Sequence, residues 1–284
     1  MSIVVTAASS QLGRHAVEAL LARGVPASGI VATSRDISRI KDFADRGVAV
    51  RRADFAEPDS LPAAFEGVEK LLLISTTDVD ERVANHRRAI DAAVAAGVSL
   101  VAYTSMLHAD TAASVLGVTH YATEQDLRDR VPSVMLRNGW YLENYTAQLP
   151  PVLRGGTLAG ATGQGRISAA TRADYADAAA AVLTTDGHAG RAYELGGDEA
   201  FTLAELAATI SAVTRTQIAH VDLMAPEFTR VLTDAGLPAE LAHVLADADL
   251  AMGRGELFTD SGDLRRLIGR PTVRPAEAIT AALD

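Results

Sequence analysis

Short runs of uniformly apolar, often β-branched residues alternate with longer segments of helical spacing through the first 140 residues, and this alternation restricts the fold more than any other feature. Residues 2–6 (SIVVT), 29–34 (GIVATS), 48–54 (VAVRRAD), 69–76 (EKLLLIST), 98–105 (VSLVAYTS) and 132–139 (PSVMLRNG) read as strands. Between them, residues 11–24 place Leu12, Ala16, Ala19 and Leu20 on one helical face, and residues 37–47 and 80–98 read as further helices. A strand that is apolar on both faces must be covered on both faces. Helical crossovers supply that cover only in a parallel sheet. The expected fold is a Rossmann-type α/β domain with a doubly wound parallel sheet, followed by a smaller α/β lobe.

The second half changes character. Residues 150–166 (PPVLRGGTLAGATGQGR) are rich in Gly and Pro and read as an irregular connection. Residues 172–185 read as a helix, 192–197 as a short strand, 202–214 as a helix and 218–223 as another short strand. Thr202 and Glu205 form a capping box at the start of that second helix. The division expected is 1–140 for a dinucleotide-binding domain and 141–284 for a smaller substrate-side lobe, with some segments returning to the main domain.

Composition removes several classes of chemistry. The 284 residues include no cysteine, which excludes disulfides, thiol nucleophiles and thiolate metal sites. A net charge of −10 argues against a nucleic-acid binder. His86, His108 and His120 stand singly, so no metal site is expected. No apolar run reaches membrane-spanning length, and the amino terminus reads directly as a buried strand with no signal-peptide pattern. A cytoplasmic protein is expected.

The first strand leads into Ala7, Ala8, Ser9, Ser10, Gln11, Leu12 and Gly13. A dinucleotide turn needs small residues here, so that backbone N–H groups and the helix N-terminus reach a pyrophosphate. In G-x-x-G-x-x-G spacing the three positions are Ala7, Ser10 and Gly13; the bland alternative is a strand followed by a Ser-capped helix. Ala7 does not easily take the positive φ that a glycine would. The second strand ends at Arg35, which suits the 2′-phosphate of NADPH; an acid there would favour NAD. A solvated Arg opening a helix is the alternative, and Asp36 would repel the same phosphate. Asp54 and Phe55, after the third strand, are an adenine-contact pair or a surface turn.

The stretches QLGRHAVEALL, AGVSLVAYTSMLHAD, HYATEQDL, LRNGWYLENY, ATRADYADAAAAVL and LIGRPT together resemble the NmrA-like atypical short-chain dehydrogenases, over essentially the whole chain. Within that family the likeness is to the bacterial NADPH-dependent quinone oxidoreductases, with triphenylmethane reductase a relative. The resemblance implies that residues Ala7 to Leu12 cradle the pyrophosphate and Arg35 the 2′-phosphate. It implies that Ser75, Thr76 and Thr77 line the nicotinamide ribose side. Asn138, Gly139, Trp140, Tyr141, Leu142 and Glu143 would pass the nicotinamide and shape the acceptor pocket, and Arg172 would approach from the smaller lobe. The family's glycines are missing at Ala7 and Ser10.

Short-chain dehydrogenases commonly pair Tyr-x-x-x-Lys, but Tyr121 is followed by Gln125, which carries no charge to lower the phenol pKa. Reduction of a quinone needs no dedicated acid, because the hydroquinone anion is a stable product. Asn138 and Tyr141 would orient the acceptor and Trp140 would supply a flat wall, or the two aromatics pack the lobe boundary. Ser105 either hydrogen-bonds substrate or caps its strand. The expected activity is hydride transfer from NADPH to a quinone-like small molecule, in a chain that suits a homodimer. The alternatives are a reductase of another conjugated acceptor, such as a triphenylmethane dye, and a non-catalytic NADP-sensing regulator.

Overall fold

The computed structural model describes residues 2–283. Its strands are β1 (Ile3–Val5), β2 (Ile30–Ser34), β3 (Ala49–Arg52), β4 (Lys70–Leu73), β5 (Leu100–Met106), β6 (Ser133–Asn138), β7 (Thr157–Gly160), β8 (Ala192–Leu195) and β9 (Ala219–Asp222). Seven of them form one parallel sheet in the order β3-β2-β1-β4-β5-β6-β8. The chain runs outward from β1 to β3 and then returns to place β4 on the other side of β1. Helices on opposite faces diverge at that reversal and leave a crevice beyond the carboxyl ends of the strands.

Both faces of the central strands are buried, as their apolar sequences require; the edge strand β3 is only half-buried. Helices Gln11–Ala22 and Arg172–Thr184 cover one face, around Val5, Leu20, Ala32 and Leu136. Helices Leu61–Phe65, Arg82–Ala95 and Val115–Arg128 cover the other, around Val4, Phe65, Leu71 and Tyr103. Each fully buried Leu or Ile contributes about 1.5–3 kcal/mol. Ala176 and Ala178 to Ala181 are buried, and these small side chains let the second half of the chain dock closely on the first helix.

Three elements differ from the sequence reading. Residues 150–166 are not irregular: they contain the helix Leu149–Gly155, ended by Gly156 in a left-handed conformation, and then β7, which pairs with β9. The Gly and Pro residues there are helix punctuation, with Pro in the first turn and Gly at the end. The helix expected over 37–47 is two shorter pieces, a 3-10 turn Ile37–Ile40 and a helical turn Lys41–Ala44. The helix Val115–Arg128 lacks a clear apolar stripe, because His120, Thr123 and Glu124 occupy much of its buried face. Three elements of the second half, β8 and helices Arg172–Thr184 and Asp263–Ile268, build onto the main sheet. Most of the rest gathers around the β7–β9 pair, in a core with Leu158, Ile167, Leu206 and Ile210 and a smaller cluster of Ala161, Phe228 and Ala246.

Candidate active site

The crevice at the β1/β4 reversal has a volume of about 800 Å³. Its near end is the start of helix Gln11–Ala22. Ser10 caps that helix, its hydroxyl accepting from Gly13 N–H at 3.1 Å. No acid lies in the first turn, so the positive end of the helix faces the crevice uncompensated. A Cβ on Gly13 would meet the Ala7 carbonyl oxygen, and Ala7 takes φ 48°, the left-handed conformation a glycine would hold without strain. Ala7, Ser9, Ser10, Gln11 and Leu12 line the crevice. Ala8 does not: it is fully buried, with its N–H donated to Thr33 O at 2.8 Å.

Beyond β2, Arg35 and Arg39 both line the crevice, and neither guanidinium makes a hydrogen bond or ion pair among the described residues. Asp36 does not line it. Its carboxylate accepts from Ser38 N–H at 3.0 Å and from the Ser38 hydroxyl at 2.7 Å. Those two bonds hold its carboxyl below the usual range, with the Arg39 charge adding to the effect. The acid is thereby used as a cap, and the two arginines present the positive charge. Sequence reading missed Arg39, which follows Arg35 by four residues on the 3-10 turn Ile37–Ile40. Asp54 and Phe55 line the same end, and Asp54 Oδ1 accepts from Ala56 N–H at 3.0 Å.

At the far end, Ser75, Thr76 and Thr77 form the wall after β4. Ser75 N–H donates to Thr104 Oγ1 at 2.9 Å, and Thr76 N–H to His86 Nε2 at 3.1 Å. Arg82, another residue the sequence reading passed over, is 4% exposed and lines this wall. It donates to Thr76 O through Nε and one terminal nitrogen, and to Thr119 Oγ1 at 2.8 Å. No carboxylate pairs with it among the described residues, and burial pulls its guanidinium below the usual value. Nothing in the sequence marks a buried arginine on a helix rich in arginines.

Asn138, Gly139, Trp140 and Tyr141 close the crevice after β6. Any side chain at Gly139 would strike Ser168 O at 2.5 Å. Asn138 is 4% exposed, and its Oδ1 is buried with no hydrogen-bond partner. An orphaned acceptor in a crevice wall is a place for a ligand donor. Arg172 lies over the Tyr141 ring, its guanidinium carbon 4.4 Å from the centroid, and donates to Asn144 Oδ1 at 2.9 Å. Burial pushes the Tyr141 phenol up, opposed by Asn138 and by the Arg172 charge. Leu142 and Glu143 do not line the crevice. Leu142 is buried in the smaller core, and Glu143 is used to hold Arg172, accepting from its backbone N–H at 2.8 Å.

The two hydroxyl candidates for acid chemistry are committed elsewhere. Ser105 lines the crevice but donates to the buried Glu124 at 2.7 Å, which is itself bound by Arg137. Tyr121 lies outside the crevice, where Gln125 donates to its hydroxyl at 2.9 Å. Helix Val115–Arg128 instead presents Leu116 and the neighbour of Tyr121, His120, to the crevice. Among the described residues no group of His, Cys, Asp and Glu is placed to hold a metal, and no helix is long and apolar enough to cross a membrane.

Residues 1–258 match the model of the NmrA-like family. Quinone oxidoreductase 2 of Escherichia coli is 46% identical over 279 residues, 98% of this chain and 97% of that protein. The crystal structure of the Escherichia coli NADPH-dependent quinone oxidoreductase complexed with NADPH superposes with a TM-score of 0.96 at 45% identity, covering 99% of this chain and all of that one. The triphenylmethane reductase of Citrobacter sp. complexed with NADP(H) gives 0.93 at 35% identity, covering 99% and 100%. A Rossmann sheet with this strand order, a crevice built as described and full-length similarity at these levels agree, and the chain belongs to the NmrA-like family.

Proposed function

We propose that the chain is an NADPH-dependent oxidoreductase that reduces a quinone. The observation that carries this reading is the pair Arg35 and Arg39, two unpaired cations that line the same crevice as an uncompensated helix N-terminus. That spacing of positive charge suits a dinucleotide with an extra phosphate on its adenosine ribose. When bound, the nicotinamide supplies a hydride at the far end of the crevice. Gly139 admits it against the backbone, the orphaned Asn138 Oδ1 offers an acceptor for an amide N–H, and Thr76 and Thr77 border its ribose side.

Trp140 and Tyr141 form an aromatic wall suited to a flat acceptor. The acceptor side is completed by the part of the chain beyond residue 140, and the cytoplasm is the compartment this cofactor calls for. A quinone is favoured over a triphenylmethane dye by the higher identity to the quinone enzyme. Steady-state oxidation of NADPH with a panel of quinones and triphenylmethane dyes tests the choice. Quinones should be turned over with the higher kcat/KM. Faster turnover of the dyes would reverse the ranking, and no turnover of either would favour a sensor.

A further inference from the structure

His86 and His120, apart in sequence, are joined beneath the far end of the crevice by Tyr103. The Tyr103 hydroxyl lies 2.8 Å from His120 Nδ1 and 3.5 Å from His86 Nδ1. The direction of the protons in this chain is fixed at one end by the backbone. Thr76 N–H can only donate, so His86 Nε2 accepts. Burial, aided by the Arg82 charge, pushes the His86 pKa down to about 3, so its ring is neutral and its one proton sits on Nδ1. That proton goes to Thr123 Oγ1 at 3.0 Å. The nearest partner of the fully buried Tyr103 hydroxyl is His120 Nδ1, at 2.8 Å against 3.5 Å for His86 Nδ1, and the hydroxyl proton is assigned to that shorter contact.

His120 is also held neutral, by burial first and then by the charge of Arg82. With Nδ1 accepting, its single proton is on Nε2, and Nε2 makes no hydrogen bond within the protein while the ring lines the crevice. We propose that His120 is a catalytic hydrogen-bond donor, its Nε2–H held by Tyr103 toward the acceptor oxygen that gains negative charge as hydride arrives. This rests on the oxidoreductase reading above. The nicotinamide C–H bond breaks and leaves the cofactor oxidised; one quinone oxygen takes the hydride and becomes a hydroxyl, the electron pair leaves the other oxygen as the hydroquinone oxyanion, and His120 stabilises that oxyanion without giving up its proton. The proton that completes the hydroquinone comes from water. Arg82, buried on the same wall with two of its five N–H donors unspent, adds positive potential and keeps His120 from protonating.

Two readouts test this. Long-range proton–nitrogen NMR on the labelled protein reports the His120 tautomer without turnover. The wild type should show the proton on Nε2, and Tyr103→Phe, which removes only the hydroxyl, should shift the population toward Nδ1. Adding 4-nitrophenolate, an aryl oxyanion standing in for the reduced acceptor, should move the Nε2–H resonance downfield. In kinetics, His120→Phe should lower kcat for a quinone by about tenfold to a hundredfold, and His120→Asn should recover part of it. The wild-type kcat should stay flat from about pH 5 to 8, because burial and then the charge of Arg82, with His86 adding, hold His120 neutral; Tyr103 from β5 also faces it, and Glu124 of its own helix is bound by Arg137. Thermal unfolding confirms that each variant is folded. A wild-type proton on Nδ1, no response to 4-nitrophenolate, or a kcat that follows a histidine titration overturns the proposal. Absence of NADPH oxidation with every quinone would instead sink the functional reading, because the NMR arm needs no turnover.

Discussion

A Cβ on Gly13 would stand 2.2 Å from the carbonyl oxygen of Ala7, so the first helix and the turn before it meet backbone to backbone. Gly13→Ala should destabilise the fold by about 1–3 kcal/mol through overpacking and weaken NADPH severely. Thermal unfolding and a nicotinamide fluorescence titration measure the two effects. Unchanged stability would show that the contact yields easily.

Ala7 holds φ 48° without being a glycine. Ala7→Gly should remove left-handed strain and raise stability by about 0.5–1 kcal/mol, since this gain exceeds the added entropy of the unfolded chain. Denaturant unfolding reads it. A loss of stability would mean that Ala7 is unstrained.

Cofactor choice rests on two arginines. Arg35→Ala and Arg39→Ala should each weaken NADPH by about tenfold, the size of one charge-assisted contact, and leave NADH nearly unchanged. Equal losses for both cofactors in a binding titration would remove the arginines from the 2′-phosphate.

Tyr121 faces away from the crevice and holds Gln125. Tyr121→Phe should therefore change quinone turnover by no more than a few-fold, whereas Asn138→Ala should cost about tenfold or more in kcat/KM by freeing the ring it positions. A collapse in Tyr121→Phe alone would restore a short-chain-dehydrogenase proton donor.

Asp249 lies far from this chemistry, accepting from Ala161 N–H at 2.7 Å, and burial with the nearby Asp222 raises its pKa to about 6. Its folded pKa lies above the unfolded value, so the stability it permits is full below about pH 4 and is lost as pH rises through 6. Asp249→Asn should be more stable than wild type by about 1–3 kcal/mol at pH 8, with the gap closing toward pH 4. A gap independent of pH would contradict this assignment.

The sheet was legible because strands buried on both faces are mostly apolar, as β1, β2, β4 and β5 are, while the edge strand β3 is only half-buried and ends in Arg51 and Arg52. The turn was legible in outline: Ser10 as a cap and Gly13 as the close-packed position follow from local chemistry. The helix Val115–Arg128 was hidden because His120, Thr123 and Glu124 take the buried face where periodicity looks for apolar residues. Arg82, His86, Tyr103 and His120 come from three elements, and only the folded chain shows that their hydrogen bonds connect. Ala8, Leu142 and Glu143 sit among crevice residues in sequence, yet backbone direction turns each into the interior or onto Arg172.

Direct passage of hydride from NADPH in the crevice to a quinone is tested by a single-turnover experiment: NADPH-loaded protein is mixed with excess quinone, using NADPH carrying hydrogen or deuterium at the transferred position. The expected result is a saturable loss of nicotinamide absorbance that slows on deuteration, with a larger rate for NADPH than for NADH. Bound NADPH that stays reduced in the presence of every quinone would contradict it.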